Sequence, residues 1–274
     1  DEVYMTTKLA GKETFFLPFN KGNNHGQGNP PNLFGHKTAY LWEEVFTKAS
    51  LANIIQHFVR LDGSSKDLLN KRTLFFPRYH QLDVVRRLVD HAAHYGVGHT
   101  YLIQHSAGSG KSNSITWAAY QLIEAYPATN DVHGSHGIDQ PLFDSVIVVT
   151  DRRLLDKQLR ENIKEFSEVK NIIAPANKSS ELKSALENGK KIIITTIQKF
   201  PFIVDGISDL SDKRFAVIID EAHSSQSGTA HSKMNEAMGK TEEEAEDIQD
   251  LILQSMQSRK MRGNASYLAF TATP

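Results

Sequence analysis

A chain of 274 residues can hold one large domain or two small ones. Its 39% hydrophobic and 23% charged residues let it bury a core, and 31 Lys+Arg against 32 Asp+Glu do not announce a nucleic-acid binder. The absence of cysteine excludes disulfide scaffolds, thiolate zinc sites and cysteine nucleophiles, and no apolar run nears the ~18 residues of a membrane span. With no signal-peptide pattern at its start, the chain is expected to be cytoplasmic, with no membrane partner. Charge is spread unevenly: residues 1–130 carry 13 basic and 10 acidic groups, residues 131–274 carry 18 and 22. A first residue other than Met and a last run of Thr-Ala-Thr-Pro suggest an excerpt from a longer polypeptide.

Residues 20–36, rich in Gly, Asn and Pro, read as loop. Tyr40 to Leu61 predicts a helix whose apolar stripe is Leu41, Val45, Leu51, Ile55 and Phe58. Residues 63–70 break it, and Pro77 starts a second helix with Leu82, Val85, Leu88, Val89 and Ala92 on one face. The texture changes there, so residues 1–70 are set apart from 71–274. Strands are predicted at Tyr101–Ile103, Val146–Thr150, Ile192–Thr196, Phe215–Ile219 and Tyr267–Thr271, near-continuous apolar runs of the kind buried on both faces of a parallel sheet. Helices at Ser112–Tyr126, Leu154–Phe166 and Ser180–Glu187 alternate with them, which predicts an α/β fold. Two stretches interrupt the alternation: Pro127–Asp144, read as an exposed insertion, and Thr241–Arg262, read as a capped helix with an acidic start.

Chemistry concentrates after the first of those strands. His105-Ser106-Ala107-Gly108-Ser109-Gly110-Lys111-Ser112 follows an apolar strand and opens a helix, the context a phosphate-binding loop requires. Gly108 and Gly110 let successive N–H groups of Ala107–Ser112 face one anion, Lys111 suits terminal phosphates, and the Ser112 hydroxyl suits Mg2+. The pattern departs from G-x-x-x-x-G-K-[ST] because His105 stands at its first position. Phe215–Ile219 ends in Asp220-Glu221-Ala222-His223, where Asp220 can hold Mg2+ and Glu221 can take a proton from an attacking water. Acids at a strand end are also common as plain surface charge.

With Thr271-Ala272-Thr273 as a third element, the chain resembles the superfamily 2 helicases and translocases from about Pro77 to Pro274. Phe16–Gly22, Thr38–Val45, Pro77–Gln81, Gln104–Ser112 and Asp220–Ser227 narrow this: they look like the restriction (R) subunit of type I restriction–modification enzymes, in which His105 is at home. The resemblance implies a RecA-like parallel sheet with helices on both faces over 71–274, an ATP-binding motor using ATP and Mg2+. Residues 1–70 then read as the tail of a nuclease region and a connecting, mostly helical or loop segment. The nuclease site itself and the second RecA-like domain are expected outside this chain.

The resemblance also implies roles by position. Gln81 would read adenine, with Tyr79 or Phe76 stacking beside it. Thr150, Arg152, Arg153, Thr195 and Thr196 would grip a DNA backbone, as hydroxyls and guanidinium groups can without base readout. His223, Thr271 and Thr273 would couple nucleotide state to DNA grip. The implied partners are double-stranded DNA and the methyltransferase and specificity subunits of the complex. Rival readings are another superfamily 2 helicase or remodeller ATPase, a phosphate-loop kinase, and a non-catalytic docking module with a vestigial loop. Metal binding by the His91/His94 and His133/His136 pairs is not expected, for want of a third ligand.

Overall fold

The computed structural model describes residues 2–24, 26–62, 68, 71–106, 108–150, 173–176, 178–220 and 263–271. The chain divides into two compact units, Asp1–Arg86 and Arg87–Pro274.

The first unit pairs β1 (Tyr4–Met5) with β2 (Leu17–Pro18) and β3 (Arg60–Asp62) with β4 (Thr73–Phe75), both antiparallel. The Gly/Asn-rich loop is ordered by its own amides. Asn20 Oδ1 accepts from the N–H of Val3 and from Asn29 Nδ2, both at 2.8 Å, and Asn29 Oδ1 accepts from the N–H of Lys21. The single helix predicted over Tyr40–Leu61 is instead a π-helical turn at Leu41–Val45 followed by α1 (Lys48–His57). Thr47 causes the break: its backbone is extended and its hydroxyl accepts the N–H of Ser50, so it ends one turn and caps the next. Val45 and Phe58 are buried as predicted, but after the restart Ile54 is buried in place of Leu51 and Ile55, which lie at the surface. Of the face that its spacing predicts, α2 (Tyr79–Tyr95) buries Leu82, Val85, Leu88 and Ala92 and leaves Val89 half-buried.

In the second unit a six-stranded parallel sheet carries the order β5-β10-β9-β6-β8-β7. The strands are β5 (Thr100–Gln104), β6 (Ser145–Thr150), β7 (Ile173–Pro175), β8 (Ile192–Thr196), β9 (Phe215–Asp220) and β10 (Ala265–Thr271). α3 (Lys111–Ile123) links β5 to β6, travelling one way across the sheet. α4 (Ser179–Glu187) and α5 (Phe200–Asp209) link β7 to β8 and β8 to β9, travelling the other way. Right-handed crossovers in opposite directions place helices on opposite faces. The packing agrees: Leu182, Leu186, Ile203 and Ile207 of α4 and α5 share one cluster with Ile147, Val149, Ile193 and Val217. With both faces covered, every residue of β6, β9 and β10 is buried, which is why those strands are mostly apolar, with Ser145, Thr150, Asp220, Ser266 and Thr271 at or near their ends as the polar exceptions. This is the RecA-like α/β arrangement that the resemblance implies.

The five predicted strands are present, together with β7 and α5, which the sequence reading missed. β7 has three residues and ends in a proline, so it carries almost no pattern of its own. The stretch 127–144 is exposed over most of its length, as expected, but it is anchored to the fold at a few points. Val132, Leu142 and Phe143 are buried, and the N–H of Val97 donates to the carbonyl of His133 over 3.0 Å. Apolar side chains at both ends of the stretch hold it down, although its Gly and Asn content reads as surface. The helices predicted at Leu154–Phe166 and Thr241–Arg262 lie outside the described residues.

Candidate nucleotide site

β5 lies at the sheet edge, followed by β10 and then β9. The register sets Gln104, the last residue of β5, opposite Thr271, and Phe270 opposite Asp220, the last residue of β9. All three strands point the same way, so their carboxyl ends open on one edge, where parallel sheets bind ligands. The pairing of β5 with β10 runs on past the strand, because the N–H of His105 donates to the carbonyl of Thr271 over 2.8 Å.

The loop then turns sharply. Gly108 and Gly110 adopt φ of +73° and +83°, left-handed values that L side chains rarely take. Between them the N–H of Ser109 donates to the carbonyl of Ser106 over 3.1 Å, while His105 Nδ1 and Ser109 Oγ share a hydrogen bond of 2.9 Å. Both side chains are buried. Gly110 forms the cap of α3, and its carbonyl accepts the N–H of Asn113 at 3.0 Å. α3 therefore starts with Lys111 in its first turn, at the positive end of a thirteen-residue helix.

That placement brings two distant segments together. Lys111 Nζ lies 3.0 Å from Asp220 Oδ1, although 109 positions separate the residues. Their side chains are 13% and 4% exposed, so the ammonium offsets a carboxylate that the sheet end has largely removed from water. Two strand spacings of about 4.8 Å lie between the root of the loop and β9, a gap that a lysine from the following helix can cross. The arrangement can receive anionic oxygens on the loop and on Lys111. Ser112 and Asp220 add a hydroxyl and a carboxylate, the hard oxygen donors that Mg2+ takes alongside phosphate and water.

The other predicted site residues are placed as follows. Thr271 closes β10 and accepts the loop's first N–H through its carbonyl. Thr150 and Thr196 face each other at the ends of β6 and β8. Thr150 and Thr195 are buried, with hydroxyls donating to the carbonyls of Thr195 (3.4 Å) and Ala176 (3.0 Å), so both hydroxyls serve the fold. Thr196 is part-exposed. Gln81 is buried, and its Oε1 accepts the N–H of Arg78 over 2.8 Å, half of a capping box at the start of α2. That duty was readable from its place three residues into the helix. Tyr79 packs edge-on against Phe19 and Tyr40, with ring centroids 5.7 and 5.3 Å apart. Burial and the neighbouring Tyr79 push the Tyr40 hydroxyl up to about 12. Ala107, Arg152, Arg153, Glu221, His223 and Thr273 lie outside the described residues.

Against known proteins, the model of the SWI2/SNF2 ATPase family matches residues 80–244, more than half of the chain. The chain belongs to that family. The SWI2/SNF2 match spans both the phosphate-binding loop and the Asp220 strand end, the two halves that the structure brings together. The resemblance to R subunits is matched as well. This SWI2/SNF2 ATPase is similar to the type I restriction enzyme SsaAORF53P endonuclease subunit of Staphylococcus saprophyticus, 24% identical over 237 residues, with 85% of this chain and 20% of the relative covered. Three further relatives also carry type I restriction enzyme names. The chain spans about one fifth of the length of the first of these relatives. Among solved structures it is similar to the Pyrococcus furiosus Hef helicase domain (TM-score 0.43, 16% identity, 72% of this chain and 33% of that one). It is likewise similar to the UvsW helicase of bacteriophage T4 (TM-score 0.42, 12% identity, 82% and 61%). Among the described residues no helix is long and apolar enough to cross a membrane.

Proposed function

We propose that this SWI2/SNF2 ATPase is the ATP-hydrolysing motor part of a type I restriction enzyme R subunit, driving translocation along double-stranded DNA ahead of cleavage. The observation that supports it best is the meeting of Lys111 and Asp220 at the mouth of the glycine loop. Lys111 holds the terminal phosphates, and the N–H groups of the loop and the first turn of α3 hold the rest. Ser112 and Asp220 hold Mg2+, which would supply charge neutralisation at the phosphates when bound. Glu221, next in sequence to Asp220, takes the proton of the attacking water. Thr271, Thr273 and His223 pass nucleotide state to the DNA-binding edge. There Thr196, Arg152 and Arg153 touch the phosphate backbone, with no need to read bases. The methyltransferase and specificity subunits would supply target recognition, and the compartment is the cytoplasm.

The test is ATP binding and turnover by the intact protein with those partner subunits, with unmethylated duplex DNA, with RNA, and without nucleic acid. Turnover stimulated by duplex and abolished by Lys111→Ala supports the reading. Stimulation by RNA alone points to another superfamily 2 function. No affinity for Mg·ATP at millimolar concentration leaves only a docking module.

A further inference from the structure

In the general phosphate-loop pattern the position held by His105 is glycine, which has no side chain to use. Here that position carries an imidazole, and three observations show what it does. The ring is 5% exposed, so it lies inside the protein rather than at the mouth of the loop. Its Nδ1 bonds the hydroxyl of Ser109, four residues on, at 2.9 Å. The ring packs against that of Phe270 of β10, with centroids 5.8 Å apart and planes inclined by 34°. The backbone of the same residue is tied to β10 through the carbonyl of Thr271.

Ser109 sits between the two left-handed glycines. Those glycines give the turn its shape and also its freedom, since glycine loses more conformational entropy on ordering than any other residue. A loop hung on two glycines is therefore the part of the site most in need of an external hold. The hydroxyl of the one residue between them is where such a hold acts on both.

We infer that His105 is a positioning residue: its imidazole braces Ser109 and so holds the turn through Gly108 and Gly110 in the shape that receives phosphate, with β10 as the anvil. The brace also gives Phe270, the register partner of Asp220, a side-chain path to the loop. The inference rests on the proposed reading of the loop as an ATP site. It goes beyond that reading by assigning work to the residue that departs from the pattern.

The experiment is calorimetric titration of Mg·ATP into the full chain and into His105→Gly, Ser109→Ala, the double variant and His105→Asn. The asparagine places an amide atom close to where Nδ1 stands. A wild-type protein that binds, with His105→Gly and Ser109→Ala each weaker by roughly three- to tenfold, matches the loss of one ordering hydrogen bond. The double variant should be no weaker than either single change, because both remove the same bond. His105→Asn should recover most of the affinity, which a mere packing role for the ring would not allow. Should His105→Gly fail to fold, Ser109→Ala still decides, since it keeps the ring and removes only the hydroxyl. Wild-type binding with Ser109→Ala unchanged, with additive losses, or with no rescue by asparagine overturns the brace. Absence of wild-type binding overturns the ATP reading itself.

Discussion

Arg214 grips Asp144 with side chain and backbone together. Its Nε lies 3.1 Å and its N–H 2.8 Å from the same Oδ2. The two residues precede β9 and β6, so the pair fastens neighbouring strands at their entry ends, opposite the nucleotide edge. Burial pushes the Asp144 carboxyl up, but the Arg214 hydrogen bonds and the charges of Arg214 and Lys191 outweigh it and hold the group below the usual carboxylate range. Folding therefore favours the ionised form. That stability is fully present above the unfolded-chain value of about 4 and is lost as pH falls through the lower folded value. Asp144→Asn should cost about 2 kcal/mol at pH 7, the worth of hydrogen bonds to a charged group. The gap between its melting temperature and that of the wild type should narrow steadily on acidification below about pH 4. A gap that does not change with pH would show that the pair acts through shape alone.

Lys111 and Asp220 carry a different expectation, because each is the other's compensation in a place with little water. Lys111→Ala takes the ammonium away from a carboxylate that is 4% exposed, at a cost of about 3 kcal/mol, and should abolish Mg·ATP binding. Lys111→Met combined with Asp220→Asn removes both charges and should regain most of the melting temperature while remaining unable to bind nucleotide. Thermal melts beside titration separate the two effects. If the double variant regains binding, Lys111 does not hold phosphate.

Two glycines with similar backbone angles should respond differently to alanine. At Gly96, φ is +80° and an added Cβ would stand 1.8 Å from the carbonyl oxygen of His133. That oxygen accepts the N–H of Val97, so relief would break the contact that ties 127–144 to the end of α2. Gly96→Ala should cost more than about 3 kcal/mol. At Gly108, φ is +73° but nothing lies within 4 Å of the new atom, so Gly108→Ala should cost only the left-handed strain of about 1–2 kcal/mol. Denaturant unfolding of the two variants checks the order, and Gly108→Ala at the larger cost would contradict it.

Much of this was readable before any coordinates. β6, β8 and β9 announce themselves because strands covered on both faces are apolar along their middles, with polar residues only at their ends. The glycine loop does so because left-handed backbone needs glycine at fixed places. Relations between distant residues were harder to read. Asp144 and Arg214 are ordinary charges until the sheet order sets β6 beside β9. His105 and Ser109 are four apart, a spacing that has meaning in a helix and none in a turn. Thr47 shows a third kind of miss: one capping hydroxyl inside an apolar period splits a helix and moves Ile54 into the place predicted for Ile55. In 127–144 the polar and glycine content reads correctly as surface, while the anchors Val132, Leu142 and Phe143 are too few and too scattered to make a pattern.

The threonines at the ends of β6 and β8 divide the DNA proposal into parts that can be measured separately. Thr195 donates its hydroxyl to the carbonyl of Ala176, so Thr195→Val leaves a buried acceptor without that donor and should cost about 1–2 kcal/mol of stability. Its effect on duplex affinity should be small once the protein is folded, and Thr150→Val should behave alike, through the carbonyl of Thr195. Thr196 is part-exposed at the same sheet end, so Thr196→Ala should leave the unfolding free energy within about 0.5 kcal/mol of wild type and weaken duplex binding. A hydroxyl on a phosphate releases no counterion, so the salt dependence of binding should keep its slope in Thr196→Ala. Arg152→Ala and Arg153→Ala should each flatten that slope by about one counterion if their guanidinium groups contact phosphates. Titrations of one duplex at several salt concentrations, across the five variants, read all of this at once. Unchanged affinity in Thr196→Ala, with loss of affinity in Thr195→Val, would move the DNA contact off this edge.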